Sequence, residues 1–134
     1  MSLRRKSREF ALQMLFEWDV TKQRPARIEQ LFWRTARAVD STRKFANELF
    51  EGAVAQAESS DQLVGKLSEN WQFDRLAVVD RSILRLSISE LRVGTTPPKV
   101  VINEAVELAK KFSSAESPAF LNGVLDAALK KIKS

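Results

Sequence analysis

The stretch "FDRLAVVDRSILRLSISELR", residues 73–92, decides the fold. Leu76, Val79, Ile83, Leu84, Leu86, Ile88 and Leu91 recur at helical steps, but they spread over a wide arc instead of one stripe. A helix apolar over so much of its circumference is contacted on several sides. Residues 75–92 are therefore expected to be the central rod of a helical bundle, capped by Asp74 and stopped by Gly94 and Pro97-Pro98.

The flanking segments supply its neighbours. Toward the N-terminus, residues 3–20 carry Phe10, Ala11, Met14, Leu15 and Trp18 on one face, and Pro25 marks the break that follows. Residues 26–39 place Ile28, Leu31, Phe32, Thr35 and Val39 on one side. Asp40, Ser41 or Thr42 can cap a third helix with the stripe Phe45, Leu49, Ala53 and Val54. Ser59, Ser60 and Asp61 form the next capping cluster, ahead of Leu63, Val64, Leu67 and Trp71. Beyond the centre, residues 99–112 align Val101, Ile102, Ala105, Leu108, Ala109 and Phe112. Ser117 caps a last helix, with Pro118 in its first turn. There is no internal repeat and no credible pair of strands. The reading is an all-α bundle of two packed layers, with residues 1–134 as a single domain.

Composition narrows the chemistry. The chain contains no cysteine, histidine or tyrosine, which excludes disulfides, thiolate metal sites and the commonest general base. Gly52, Gly65, Gly94 and Gly123 are scattered, so no phosphate-cradling loop exists. A non-enzymatic protein without metal or cofactor is expected. Glu104 and Glu107, three apart, could suit a metal, but Lys110 and Lys111 offer them ordinary helix pairing. No apolar run approaches a membrane span and none follows the basic start as in a secretion signal, so a cytoplasmic location is expected. The formal net charge of +5 favours an anionic partner, most often nucleic acid.

Two features point further. Arg4, Arg5, Lys6 and Arg8 crowd the N-terminus, where they could neutralise phosphates and stack on unpaired bases; on charge alone a solvated tail serves equally well. Such a leader can stay mobile until a ligand orders it. Arg81, Arg85 and Arg92 on the central helix could extend a positive strip, or be a solvated face paired with nearby acids. The last helix, "SPAFLNGVLDAALKKI" (residues 117–132), holds a core stripe of Leu121, Val124, Leu125, Ala128 and Ile132. A second face carries Ala119, Gly123 and Ala127, one turn apart. Mid-helix glycine costs about 1 kcal/mol against alanine. Close approach by another helix, expected to be an N-terminal one, would offset that cost, and the small face with Phe120 could also border a partner site.

With these residues in view, the chain resembles the NusB family over nearly its whole length. "RRKSREFALQMLFEWD" (residues 4–19) is similar to the family's arginine-rich first helix, and "FDRLAVVDRSILRLSISEL" to its central one. "PPKVVINEAVELAKKF" (residues 97–112) and "FLNGVLD" (residues 120–126) are close to two further signatures of the family. The resemblance implies a seven-helix fold of two packed three-helix subdomains and no catalysis. It implies a transcription antitermination factor that binds boxA, a single-stranded RNA element, together with the ribosomal protein NusE, and joins the elongating RNA polymerase with other Nus factors. Some family members form homodimers through the RNA-binding side. Carried onto this sequence, RNA contacts are expected from Arg4, Arg5, Lys6, Arg8, Glu116 and Phe120, with Phe120 on a surface shared with the basic leader, and NusE contacts from Asp80, Arg81, Ile83 and Arg85. Ser113 and Ala119 stand where many members have a glycine and a basic residue. A NusB-like domain also begins some ribosomal RNA cytosine methyltransferases, but their catalytic cysteines and cofactor glycine loop have no counterpart here.

Overall fold

The structure, a computed structural model, describes residues 3–67 and 76–133. Among these residues it is entirely helical, with α1 (Leu3–Thr21), α2 (Pro25–Thr35), α3 (Asp40–Ala55), α4 (Ala57–Leu67), α5 (Val78–Val93), α6 (Pro98–Phe112) and α7 (Ser117–Lys133). The packing of Trp71 and the cap at Asp74 lie outside the described residues.

α5 is the central rod. Every residue from Ser82 to Leu91 is buried, polar ones included, because α1, α3, α4, α6 and α7 all pack against it. Ile83, Leu84 and Ile88 are fully enclosed, each worth roughly 1.5–3 kcal/mol of hydrophobic burial. On one side α1, α2 and α3 form the first three-helix group. Phe10, Phe32 and Trp33 meet edge to face at centroid distances of 4.9–5.7 Å and tie α1 to α2. On the other side α6 and α7 complete the second group with α5, and α4 leans on α5 and α7.

Besides the N-cap of α3, which is Val39 and not Asp40, Ser41 or Thr42, three local expectations change. α2 ends at Thr35 and does not continue to Val39. Ala36 is extended, and Trp33 donates its indole N–H to Asn47 Oδ1 at 2.8 Å, fixing the end of α2 against α3. α4 starts at Ala57, so the serines and aspartate expected to cap it lie inside the helix. Ser60 and Asp61 turn toward arginines of α5 instead: Ser60 Oγ accepts from Arg92 at 3.3 Å and Asp61 binds Arg85. Helix N-caps and inward ion-pair partners draw on the same residue types, and tertiary packing chose the second use here.

The small-residue face of α7 is the third change. Ala119 and Gly123 are exposed, and a Cβ on Gly123 would meet nothing within 4 Å. α7 packs through its core stripe against α4, α5 and α6, and not through the small face against α1. The close helix approach occurs at Gly52 on α3, where a Cβ would sit 3.1 Å from Ser89 Oγ of α5. Gly94 ends α5 at φ 78°, a left-handed conformation that suits glycine.

Candidate nucleic-acid and partner interface

The basic leader is part of α1 from Leu3 onward, not a loose tail. Helical geometry therefore sends its four cations in different directions. Arg4 is exposed and lays its guanidinium carbon 3.9 Å from the centroid of the Phe45 ring on α3. Lys6 is exposed, with its ammonium 5.1 Å from the Phe10 ring. Arg5 forks onto Glu104 of α6 at 3.0 and 2.7 Å and keeps its side chain 42% exposed. Arg8 is buried; it forks onto the buried Glu90 of α5 at 2.7 and 2.8 Å, with Glu104 3.9 Å away. The hydrogen bond from Arg5, and then the charges of Arg5 and Arg8, hold the Glu104 carboxyl below the usual carboxylate range despite its partial burial. Arg8, expected to touch RNA, turns its donors inward onto Glu90 and Glu104 and fixes the direction of the leader.

Exposed Lys44, on the first turns of α3, extends the cationic rim beside Arg4 and Phe45, and exposed Arg43 next to it lies over the Trp33 ring at 5.3 Å. Sequence reading missed them. The available signal was "RKF" at 43–45, a basic pair joined to an aromatic just after a helix start.

The opposite end of α5 carries a different surface. Asp80 accepts hydrogen bonds from Ser113 at 2.6 Å and Ser117 at 2.9 Å. With Leu76, Ala77, Ser114, Glu116 and Phe120, Asp80 and Ser117 line a cleft of about 360 Å³. The structure thus brings Asp80, Glu116 and Phe120 together. It separates them from the leader: Asp80 and Glu90 are ten residues apart on one helix, about 15 Å at 1.5 Å per residue, and the leader sits at the Glu90 end. The expected closeness of Phe120 to the leader is not observed.

The remaining residues assigned to the partner surface face inward. Ile83 is fully buried. Arg81 donates to both oxygens of Asp19 at 3.1 Å and to the Leu76 carbonyl at 2.9 Å. Arg85 forks onto Asp61 at 2.9 and 2.8 Å and reaches Asp19 at 2.9 Å. Burial alone would raise the Asp19 pKa, but the hydrogen bond and charge of Arg81, joined by Arg85 and Lys22, outweigh it and hold the carboxyl below its ordinary value. Arg81 and Arg85 therefore form neither a positive strip nor a solvated face. They pin the end of α1 and the middle of α4 to α5.

An apolar groove of about 470 Å³ lies beside the cleft, lined by Leu12, Phe16, Ile28, Leu31, Phe32, Val79 and Phe112 among others. Phe16 and Phe112 are 41% and 37% exposed. Its signal was a second stripe on α1, Leu12, Phe16 and Val20, at four-residue steps beside the core stripe. Glu104 and Glu107 do not converge: Glu104 belongs to Arg5 and Arg8, Glu107 meets Lys110 at 3.4 Å, and Lys111 reaches across to Glu9 at 3.0 Å. Among the described residues no group of three or more potential ligands could hold a metal ion. No described helix is long and apolar enough to cross a membrane.

Fold and surfaces together define a seven-helix protein with a cationic rim at one end of its central rod and an acidic, aromatic cleft at the other. A model of the NusB family matches residues 5–130, and the chain belongs to that family. The transcription antitermination protein NusB of Koribacter versatilis is 45% identical over 96% of this chain and 90% of its own length. That of Myxococcus xanthus is 43% identical over 94% of each chain. Among solved structures, T. maritima NusB superposes with a TM-score of 0.85 at 30% identity over 96% of this chain and 91% of its own. A structure of the antitermination factors NusB and NusE in complex with double-stranded RNA superposes with a TM-score of 0.87 at 28% identity, covering 98% of both chains. Antitermination is a binding role and not an enzymatic one.

Proposed function

We propose that this chain binds boxA RNA jointly with NusE and carries the pair into the elongating RNA polymerase complex in the cytoplasm. The observation that carries this reading is the separation of two chemically different surfaces on one rigid rod. Arg4, Arg5 and Lys6, with the neighbouring cations of α3, suit a phosphate backbone. Asp80, Glu116 and Phe120, flanked by the apolar groove around Phe16, suit a basic protein with apolar anchors, as a ribosomal protein is. The neighbour that holds NusE and RNA supports the pairing of these two ligand classes.

With three phosphate contacts, the log–log salt dependence of single-stranded boxA binding should have a slope of about −2. Replacing Arg4, Arg5 and Lys6 by alanine should flatten it. Asp80→Asn, which keeps the shape of this buried side chain and removes its charge, should weaken NusE binding while leaving RNA binding by the isolated protein unchanged. Titration of each variant with boxA RNA, scrambled RNA and purified NusE reads all of these. Full boxA affinity in the triple variant would sink the assignment of the leader.

A further inference from the structure

Between the start of α1 and the first turns of α3 lies a groove of about 390 Å³, lined by Arg4, Ser41, Thr42, Lys44, Phe45 and Glu48, with Ser7 at its base. Four features of it stand together. The Arg4 guanidinium carbon lies over the Phe45 ring, 3.9 Å from its centroid, and among the described residues Arg4 makes no ion pair, unlike Arg5 and Arg8. A guanidinium fixed on one ring keeps its second face and its N–H edge for a ligand. The Thr42 hydroxyl is buried without a hydrogen-bond partner on a residue only 3% exposed; Ser7 donates to the Thr42 carbonyl instead, at 2.9 Å. Unsatisfied buried hydroxyls are uncommon because each costs free energy. Val39, the N-cap of α3, has no polar side chain, so no side chain caps the first turn beside this hydroxyl. Lys44 is exposed at the rim.

We propose that this groove takes one unstacked nucleotide of the bound RNA. The base lies on the free face of the Arg4 guanidinium, giving a three-layer stack with Phe45. Lys44 and the uncapped turn of α3 meet the adjoining phosphate, and the ribose supplies the hydrogen bond that Thr42 lacks. Asp40 and Glu48 are the opposing charges, and they limit how many phosphates the groove admits. The inference rests on the leader facing RNA, and it adds a requirement: the base must be unpaired, since duplex bases hide the faces that the stack needs.

The test uses the full chain, a short single-stranded boxA RNA and a duplex of the same sequence, read by fluorescence anisotropy. R4K keeps the charge but removes the plane; F45L keeps apolar volume but removes the ring that orients it. Each should weaken single-strand binding about tenfold, the scale of one base stack. The salt slope and the duplex affinity should not change. R5A/K6A serves as the control on the leader and should weaken both RNAs. If R5A/K6A weakens binding while R4K and F45L bind the single strand as the wild type does, the stack is refuted and the leader assignment stands. If all three variants bind normally, the leader assignment fails and the stack with it. Equal losses on single strand and duplex also refute the stack. R4K alters an exposed side chain, so the test survives even if F45L folds poorly.

Discussion

Arg5 and Arg8 carry the same charge three positions apart, yet one can leave its partner and the other cannot. Arg5 keeps a partly exposed side chain on Glu104, and a phosphate can compete for it. Arg8 and Glu90 are both enclosed, and removing either leaves an uncompensated buried charge. The glycines show the same dependence on surroundings. Gly123 occupies open, exposed helix, so Gly123→Ala should stabilise the protein by up to about 1 kcal/mol. Gly94 has room for a side chain but sits at φ 78°, so Gly94→Ala should cost about 1 kcal/mol or more. Chemical denaturation of the two variants checks both signs.

Between helices, α2 and α3 share an acidic contact that no pattern announces. Burial first, and then the hydrogen bond and charge of Glu51, push the Glu29 carboxyl up to about 8 from 4.5. One Glu29 oxygen is buried without a hydrogen-bond partner. Between those two values the folded state binds more protons than the unfolded chain, so stability falls as pH rises. The contribution is complete below pH 4.5 and lost above about 8. Melting temperatures from pH 5 to 9 should therefore fall in the wild type and fall less in Glu29→Gln. An identical decline in both would place the titration elsewhere.

For the molecule as a whole, α5 is the axis and two buried ion clusters are its end pins. Arg8 with Glu90 ties the start of α1 to the C-terminal part of α5; Asp19 with Arg81 and Arg85 ties the end of α1 to its N-terminal part. α1 and α5 thus run antiparallel, and the cationic rim and the acidic, aromatic cleft are held apart by a rigid spacer. Glu90→Gln should destabilise by up to about 3–5 kcal/mol, because the Arg8 charge stays buried with only the more distant Glu104, already shared with Arg5, to balance it. The double substitution Arg8→Met/Glu90→Leu should recover most of that loss, since apolar residues of similar volume can replace a buried pair. Both are read by urea unfolding. A double variant as unstable as Glu90→Gln would mean that the pair is needed for reasons beyond its charge.

The class of fold was legible in the sequence because period and arc are local properties: the wide apolar arc of residues 76–91 marked the central helix, and α1, α3, α6 and the core stripe of α7 followed from spacing alone. The signatures at 97–112 and 120–126 then indicated the family. The spacing did not say which polar residues turn inward. Arg8, Arg81, Arg85, Ser60 and Asp61 read as leader, strip or cap, since an arginine or aspartate has the same pattern whether its counterion is water or a carboxylate more than twenty residues away. The same limit applies to the small residues: Gly123 and Gly52 differ only in whether another helix passes, and that is fixed by how seven rods share one core. Local pattern sets each helix and its apolar face. Long-range packing decides where each charge ends, because desolvation and ion pairing depend on neighbours brought together from distant parts of the chain.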